Sequence, residues 1–269
     1  AHIEEDECAA PEFYIGGGKL TLLAGENGKF TADTLAKKLG DPSAASAVHH
    51  AKPAAVSISQ LTEKGTAYSL DEIRAIADVA HAHGLKLHMD GARFTNAMLG
   101  LGCSPAEATW KAGVDALSFG ATKNGAFAAE AVIFFDPQAV KDFEFRRKRG
   151  GHLFSKMRFL SAQLAAYLEN DNWLRYAGTA NDAARRLTDG LTALPGVELL
   201  HVVEGNEIFA RISGPVHQAL RSAGCQYYAF GEADDGSVGI RLVTAFNTTE
   251  ADTDHFLKAA RAGAGEAAA

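Results

Sequence analysis

The chain has 269 residues, of which 47% are hydrophobic and 22% are charged, and its formal net charge is −7. A chain of this length can bury a sizeable core in one large or two medium domains. The negative charge argues against nucleic acid or an anionic membrane as the main partner. Three scattered cysteines do not make a disulfide framework, no apolar run reaches the length of a membrane span, and no leader pattern opens the chain, so a cytoplasmic location is favoured.

Strand and helix patterns alternate through the first half of the chain. Residues 56–59 are predicted to form a short buried strand, and a capping box at residues 69–72 opens a helix with one apolar face. Gly84 ends that helix, and residues 85–89 form the next strand. This strand–helix–strand order predicts a βαβ crossover between parallel strands. The pattern continues with a capped helix from residue 104 and with strands at residues 115–119 and 131–135.

The second half predicts a different organisation. An amphipathic helical stretch runs from about residue 155 to residue 194, and mixed strands follow it. We therefore predict an α/β fold: a large domain with a mainly parallel sheet, residues 1–150, and a smaller α+β domain with connecting helices, residues 151–269. The predicted strands of the smaller domain are residues 197–203, 207–212, 226–230 and 238–243, with a helix near residues 216–223.

Asp90 directly follows the predicted strand at residues 85–89. Ligands of open α/β sheets bind outside the carboxyl ends of the strands, so a carboxylate at this point faces the expected crevice. The structural alternative is an aspartate that merely begins the turn after the strand.

Lys123 lies just beyond the predicted strand at residues 115–119 and is followed by Asn124-Gly125. Asn-Gly between two apolar runs is a strong hairpin signal, and a lysine at a hairpin tip would only be solvated. A tight turn beside a strand end can also hold a lysine over a cofactor. The two interpretations are therefore compatible.

Arg241 stands inside an otherwise apolar strand at residues 238–243. A guanidinium group there must be paired or face a polar cavity, because burying it alone is unfavourable. Its planar fork also suits bidentate recognition of a carboxylate. A structural salt bridge is the alternative.

A lysine, an acid and an arginine in these places match what a pyridoxal-phosphate enzyme needs. The lysine bonds to the cofactor aldehyde, the acid protonates the pyridine nitrogen, and the arginine holds an amino-acid carboxylate. The histidines at residues 49, 50, 81 and 83 lack the spacing of a metal cluster, so we predict no metal site. The glycines at residues 16–18 precede a strand pattern rather than a helix, which is wrong for a phosphate loop.

Four segments in order along the chain resemble low-specificity L-threonine aldolases, which belong to the aspartate-aminotransferase-like (type I) group of pyridoxal-phosphate enzymes. One such motif alone would carry little weight, but four in register cover almost the whole chain. They are LHMDGARFTNA at residues 87–97, SFGATKNG at residues 118–125, RRKRGG at residues 146–151 and IRLVTAF at residues 240–246.

The resemblance implies a set of residues that bind pyridoxal 5′-phosphate. Lys123 would bond covalently to the cofactor, with Thr122 beside it. Asp90 would pair with the pyridinium nitrogen and keep the ring an electron sink, and Arg93 would lie next to it in the cofactor site. His2 matches a histidine that stacks over the pyridine ring.

The resemblance also implies residues on the substrate side. Arg241 would hold the substrate carboxylate, and Lys148 matches a lysine near the active site, although its basic run is also typical of a solvated helix face. Many relatives carry a histidine near the substrate hydroxyl, where this chain has Glu63. A glutamate could take the hydroxyl proton, but its ordinary pKa makes it a weak base unless that pKa is raised. The implied catalytic residues are thus Lys123, His2 and Glu63.

The implied reaction is aldol cleavage of L-threonine, L-allo-threonine or a related β-hydroxy-α-amino acid to glycine and an aldehyde. The implied assembly is a homodimer or homotetramer with shared active sites. Three alternatives stay open: another type I lyase, an aminotransferase, or a non-catalytic subunit of the same fold. Relatives carry a further N-terminal part before the position of His2, including the turn that cups the cofactor phosphate, so we expect the native polypeptide to be longer.

Overall fold

The computed structural model describes residues 1–41 and 48–265. Within these ranges the chain forms two four-stranded sheets with helices packed around them. The strands are β1 (Ala55–Ser59), β2 (Lys86–Gly91), β3 (Ala116–Gly120), β4 (Glu130–Phe134), β5 (Val197–Leu199), β6 (Glu207–Ile212), β7 (Tyr228–Glu232) and β8 (Val238–Val243). The helices are α1 (His2–Glu5), α2 (Ala10–Ile15), α3 (Ala32–Leu39), α4 (Leu70–Ala82), α5 (Phe94–Leu101), α6 (Phe143–Arg149), α7 (Arg158–Leu168), α8 (Asn172–Thr192), α9 (Gly214–Ser222) and α10 (Glu250–Gly263).

The first sheet has the strand order β1-β2-β3-β4. The first three strands are parallel, and β4 runs antiparallel to β3 at the edge. Helix α4 connects β1 to β2 and begins with the predicted capping box, in which Ser69 and Glu72 each accept the other's backbone N–H. The βαβ crossover and the mainly parallel sheet are therefore confirmed.

The two faces of the first sheet differ in chemistry because successive side chains of a strand point to opposite faces. One face is apolar and packs into the first hydrophobic core, together with residues of α4 and α5. The other face is polar and only half-buried. The core face carries Val56, Ile58, Leu87, Met89 and Leu117, and the polar face carries Ser57, Ser59, His88, Asp90 and Ser118.

The second sheet has the order β5-β6-β8-β7, and all its neighbouring strands are antiparallel. Its core includes the fully buried side chains Ile208, Ile212 and Ile240, which pack with Leu220 of α9. Leu257 of α10 closes the same cluster. This is the α+β arrangement expected for the second half of the chain.

Helices α7 and α8 link the two sheets and take part in both cores. Tyr167, in α7, packs with the first hydrophobic cluster, whereas Ala184 and Leu187, in α8, pack with the second. The boundary at residue 150 stays a prediction, because α7, which lies beyond it, packs with the first core.

The predicted strands of the second half agree with the structure at residues 207–212 and 238–243. The predicted strand at residues 197–203 is too long, because β5 ends at Leu199 and the chain then turns toward the first sheet. There His201 Nδ1 lies 3.0 Å from Asn27 Oδ1, and Glu204 Oε2 accepts a hydrogen bond from the Ala67 amide at 2.7 Å. Those contacts between sheets end the strand.

None of the described helices is long and apolar enough to cross a membrane. The three cysteines, Cys8, Cys103 and Cys225, are free thiols. Burial raises the pKa of Cys103 and of Cys225, which keeps both thiols protonated and weakly nucleophilic.

Candidate active site

The carboxyl ends of β1, β2 and β3 bring a row of polar residues together. Ser59, Asp90 and Ser118 are neighbours in the register of the three parallel strands. Asp90 Oδ1 accepts a hydrogen bond from the Ala92 amide at 3.0 Å, which forms the turn after β2. Within the described ranges no donor reaches Oδ2. Asp90 thus begins the turn and also keeps a free carboxylate oxygen on the polar face.

The loops that follow β2 and β3 touch each other. A Cβ atom on Gly120 would lie 2.8 Å from both Cα and O of Ala92, so only a glycine allows the two backbones to approach this closely. Ala92 stands two residues after Asp90, and Lys123 stands three residues after Gly120. The contact therefore joins the loop of the aspartate to the loop of the lysine.

Lys123 lies in a single 3₁₀ turn, Thr122–Asn124, which is held in place by the side chain of its last residue. The buried Asn124 side chain donates hydrogen bonds to Tyr167 Oη at 2.6 Å and to the Trp173 carbonyl at 2.9 Å. Gly125 follows with φ +108°, a conformation that favours glycine. The hairpin signal is correct in that β3 and β4 pair antiparallel, but Asn124 anchors the connection rather than forming its tip.

The Lys123 side chain is exposed and its ammonium group is unengaged. Among the described residues it has neither a hydrogen-bond partner nor an ion-pair partner. Thr122 is used differently, since its Oγ1 accepts from the Ala129 amide at 3.0 Å and donates to the Ala129 carbonyl at 3.3 Å. Thr122 fixes the turn against the start of β4, and a role for it in cofactor binding stays a prediction.

His2 and Glu63 meet beside the end of β1. Glu63 Oε1 accepts hydrogen bonds from the His2 amide at 2.6 Å and from Ser59 Oγ at 2.9 Å. The His2 imidazole turns to Glu7 instead, with Nδ1 at 2.8 Å from Glu7 Oε1. The structure therefore brings His2, Glu63 and the strand-end row together, although through the His2 backbone rather than its ring.

The environment of Glu63 lowers its pKa. Burial acts to raise that pKa, but hydrogen bonds from the His2 amide, from the backbone N–H of Glu63 itself and from Ser59 outweigh the effect. The direction is opposite to the one that would make a glutamate a good general base near neutral pH.

Arg93 and Arg241 converge on one buried carboxylate. Arg241 donates to Glu207 Oε1 through Nε at 3.1 Å and also through Nη2. Arg93 Nη2 lies 3.2 Å from the same oxygen. The side chain of Glu207 is 1% exposed, whereas those of Arg93 and Arg241 are 16% and 36% exposed. The salt-bridge alternative for Arg241 is thus present, but the arginine also keeps an accessible side.

Electrostatics connects this arginine pair to the strand ends. Burial lowers the pKa of Arg93, and the neighbouring anionic and cationic side chains then act on it from several directions. The groups whose charges act on Arg93 are Glu207, Arg241, Asp90 and Glu63. Four of the predicted site residues therefore share one electrostatic environment.

Unsatisfied buried polar atoms also gather here. In the described part of the chain, five buried side-chain N or O atoms lack a hydrogen-bond partner. Three of these belong to this region: Arg93 Nε, Glu207 Oε2 and Asn206 Oδ1. Buried polar groups in native proteins are normally paired, so such a concentration is typical of a binding site rather than of a structural core.

Lys148 lies outside this network. It is exposed on α6, and its Nζ donates to the Leu153 carbonyl at 3.0 Å. No described contact links it to Asp90, Arg93 or Lys123. Its role near the substrate stays a prediction from the sequence motif.

Sequence reasoning missed Glu207, Asn124 and His88. Glu207 had a signal, a charged residue opening an apolar strand, but its arginine partners are far away in the sequence. His88 lies between two serines on the polar face, with Nδ1 at 2.8 Å from Ser57 Oγ and Nε2 at 2.9 Å from Ser118 Oγ. Burial lowers the pKa of His88, while the charge of Asp90 acts to raise it.

Comparison with known proteins gives a consistent result. The family described as Beta-eliminating lyase matches residues 1–214. A low specificity L-threonine aldolase of Pseudomonas sp. is 46% identical over 254 residues, which cover 93% of this chain and 70% of that protein. The enzyme of the same name from Pseudomonas aeruginosa is 46% identical over 251 residues, or 92% of this chain and 70% of that protein. The solved structure of a Leishmania major threonine aldolase superimposes with a TM-score of 0.87 at 26% identity, covering 97% of this chain and 75% of that one.

Proposed function

Because this chain belongs to the low-specificity L-threonine aldolase family within the β-eliminating lyases, we propose that it cleaves L-threonine to glycine and acetaldehyde. It is an aldehyde-lyase of a family that depends on pyridoxal 5′-phosphate. L-allo-Threonine and related β-hydroxy-α-amino acids are proposed as further substrates. The observation that carries the proposal is the contact between the Asp90 loop and the Lys123 loop at the ends of adjacent parallel strands.

We propose that this chain binds pyridoxal 5′-phosphate at that contact. The donor set fits the group: Lys123 offers an unpaired amine, Asp90 a free carboxylate oxygen, and Arg93 a buried N–H without a partner. When bound, the cofactor supplies an aldehyde for the amine and a protonated ring that accepts the electron pair of the broken Cα–Cβ bond. Lys123, Asp90, Arg93, His2 and Thr122 are the residues proposed to hold it.

Asp90 would act through its free Oδ2. An ionised carboxylate beside a pyridine nitrogen favours the protonated form of that nitrogen, because opposite charges at contact distance stabilise each other. The hydrogen bond from the Ala92 amide to Oδ1 fixes the direction of the carboxylate. Asp90 would thereby hold the proton on the ring nitrogen when the cofactor is bound.

Arg241 would bind the substrate carboxylate with its accessible side, and Arg93 stands next to it on the same glutamate. Holding the carboxylate fixes the rotation about the bond between the substrate nitrogen and Cα. This rotation decides which bond to Cα is aligned for cleavage. Orientation of this kind accounts for a large part of the rate of such enzymes. Lys148 is proposed to lie near the substrate on the strength of its sequence motif.

The β-hydroxyl proton needs an acceptor, and Glu63 is the proposed residue. Its lowered pKa makes the carboxylate a weak base by itself. We therefore propose that a water molecule held by Glu63 relays the proton, taking the hydroxyl proton as it passes one of its own to the Glu63 carboxylate.

We further propose a homodimer or homotetramer with shared sites in the cytoplasm. The family resemblance supports the assembly, and the three free cysteines support a reducing compartment.

The decisive variant is Lys123→Ala in the full-length protein. We expect glycine formation from L-threonine to fall to background and the absorbance of the lysine-bound cofactor to disappear, because Lys123 is the only lysine between β3 and β4. Lys141→Ala, at an exposed lysine beyond β4, is the matched control and should leave both readouts unchanged. An unaltered spectrum in the Lys123 variant would refute the assignment.

Product analysis separates aldol cleavage from elimination. Acetaldehyde and glycine in equal amounts are expected from L-threonine. Ammonia with a keto acid would instead make the chain a β-eliminating enzyme on the same scaffold.

A further inference from the structure

Two arginines from different sheets share a single oxygen atom. Arg93 comes from the loop after β2 of the first sheet, and Arg241 comes from β8 of the second. Both guanidinium groups contact Oε1 of Glu207, while Oε2 of the same carboxylate is buried without a partner. The glutamate therefore links the loop after β2 to β8 through their two arginines.

The charges of this group leave room for one more anion. Two guanidinium groups and one carboxylate carry a net charge of +1 (2 − 1), because arginine stays protonated in proteins. A single carboxylate from outside would neutralise the group, and the side chain of Arg241, 36% exposed, gives it access. An α-amino acid carries one such carboxylate.

The Glu207 side chain is the rigid member of the group. It is 1% exposed, and the loop of Gly65 packs directly on it, since a Cβ on Gly65 would lie 2.9 Å from the Glu207 carbonyl oxygen and 3.1 Å from its Cβ. The long arginine side chains have many rotamers, and their like charges repel each other. A fixed anion between the two guanidinium groups restricts their rotamers and offsets their mutual repulsion before a ligand binds.

We propose that Glu207 is a positioning residue that presets Arg93 and Arg241 as a two-arginine clamp for the substrate carboxylate. The inference rests on the proposed function, in which Arg241 binds that carboxylate. Glu207 itself touches neither substrate nor cofactor. It sets the separation of the two guanidinium groups and holds the loop of the first sheet at the edge of the second.

Glu207→Asp in the full-length holoenzyme tests this role. The variant keeps the negative charge but withdraws the carboxylate by one methylene, so it can no longer reach both arginines. Glycine and glycinamide serve as probes, because they differ only in the carboxylate, and their binding is followed by the absorbance of the bound cofactor. We expect the dissociation constant of glycine to rise about tenfold and that of glycinamide to change by less than about twofold.

Glu198→Asp is the matched control, since it makes the same change at an exposed glutamate of β5 and should alter neither constant. Equal shifts for glycine and glycinamide in Glu207→Asp would reveal a merely structural role and overturn the inference, as would no shift at all. If that variant fails to fold, Glu207→Gln keeps the side-chain shape. Its ratio of the glycinamide constant to the glycine constant should fall, and an unchanged or larger ratio would also overturn the inference.

Failure of the clamp and failure of the proposed function give different results. A wild-type enzyme that cleaves no threonine but binds glycine more tightly than glycinamide would refute the proposed function without contradicting the clamp. If the wild-type enzyme forms glycine from threonine, and the Glu207 variant shifts the dissociation constants of glycine and glycinamide equally, only the clamp is refuted.

Discussion

The two edges of the first sheet carry charged groups that are handled in opposite ways. At the amino edge, Asp115 forms a cluster with His81 and Lys86. Its Oδ1 accepts from Lys86 Nζ at 2.7 Å, and its Oδ2 accepts from His81 Nε2 and from the Leu87 amide, both at 2.8 Å. Both oxygens of the carboxylate are used. We call these residues the amino-edge cluster.

At the carboxyl edge the corresponding groups are left partly open. Asp90 uses one carboxylate oxygen, Arg93 Nε and Glu207 Oε2 have no partner in the described residues, and Lys123 has none at all. We call Asp90, Arg93, Glu207 and Arg241 the carboxyl-edge cluster. Leaving buried polar atoms unpaired destabilises a fold, so we expect a ligand to pair with the open groups of Asp90, Arg93 and Lys123.

The difference teaches how to tell a structural ion network from a binding one within a single sheet. Both clusters contain an aspartate at or beside the end of a strand, and composition does not distinguish them. The number of hydrogen-bonding atoms without a partner distinguishes the two clusters. The variants that follow should therefore separate activity from stability, with the larger effects first.

Asp90→Asn should produce the largest effect in this comparison. The change keeps the acceptor for the Ala92 amide but removes the negative charge beside the proposed ring nitrogen. We expect kcat for threonine cleavage to fall by about 10²- to 10³-fold, the range found when one electrostatic partner of a developing charge is removed. The free energy of unfolding of the cofactor-free protein should change by less than about 0.5 kcal/mol. Steady-state kinetics and urea denaturation measure the two effects.

A large loss of stability with retained kcat in that variant would reverse the assignment. Asp90 would then be a structural turn residue, and the carboxyl edge would not differ from the amino edge.

Asp115→Asn should show the opposite behaviour. Its carboxylate is 16% exposed and accepts three hydrogen bonds, two of them from the side chains of Lys86 and His81. Because Lys86 and His81 are 63% and 41% exposed, solvent screens part of the interaction. We expect the free energy of unfolding at pH 7 to fall by about 1–2 kcal/mol, with kcat/KM for threonine unchanged within about twofold.

The pH dependence sharpens this prediction. Burial acts to raise the pKa of Asp115, but hydrogen bonds from Lys86, the Leu87 amide and His81 outweigh it and hold the pKa below its usual value of 3.8. The stabilisation is therefore complete above that value and is lost as the pH falls through the lower, folded-state pKa. The difference between wild type and variant, measured by urea denaturation, should shrink as the pH falls below 3.8. A difference that grows below that pH would contradict the assignment.

The sequence reveals Asp90, Arg93 and Arg241 of the carboxyl-edge cluster and hides Glu207. Asp90, Lys123 and Arg241 could be found because each stands at or within a strand whose apolar pattern is local. Glu207 could not, because its meaning depends on how the second sheet docks on the first, and no local pattern encodes that docking. Gly65 packs against Glu207, and Gly205 packs against Leu61. These close contacts allow the two sheets to fit together.

The strands of the second sheet illustrate the same limit. Residues 207–212 and 238–243 are predictable because each is a mostly apolar run, and the structure buries most residues on both faces of these strands. The end of β5 was not, since contacts of His201 and Glu204 with the first half of the chain decide it. Asn124 is similar: its Asn-Gly signal predicts a turn, but its anchoring to Tyr167 is a tertiary fact.

Arg74→Ala should produce the smallest effect and calibrate the others. Arg74 belongs to α4, the same helix as His81, and its Nη1 donates to Asp71 Oδ1 at 2.7 Å. The two side chains are 45% and 94% exposed, so water competes for both charges and the pair gains little from folding. We expect the free energy of unfolding to change by less than about 0.5 kcal/mol, with activity unaffected. A loss as large as that of Asp115→Asn would mean that ion pairing on α4, rather than the complete use of the Asp115 oxygens, stabilises the amino edge.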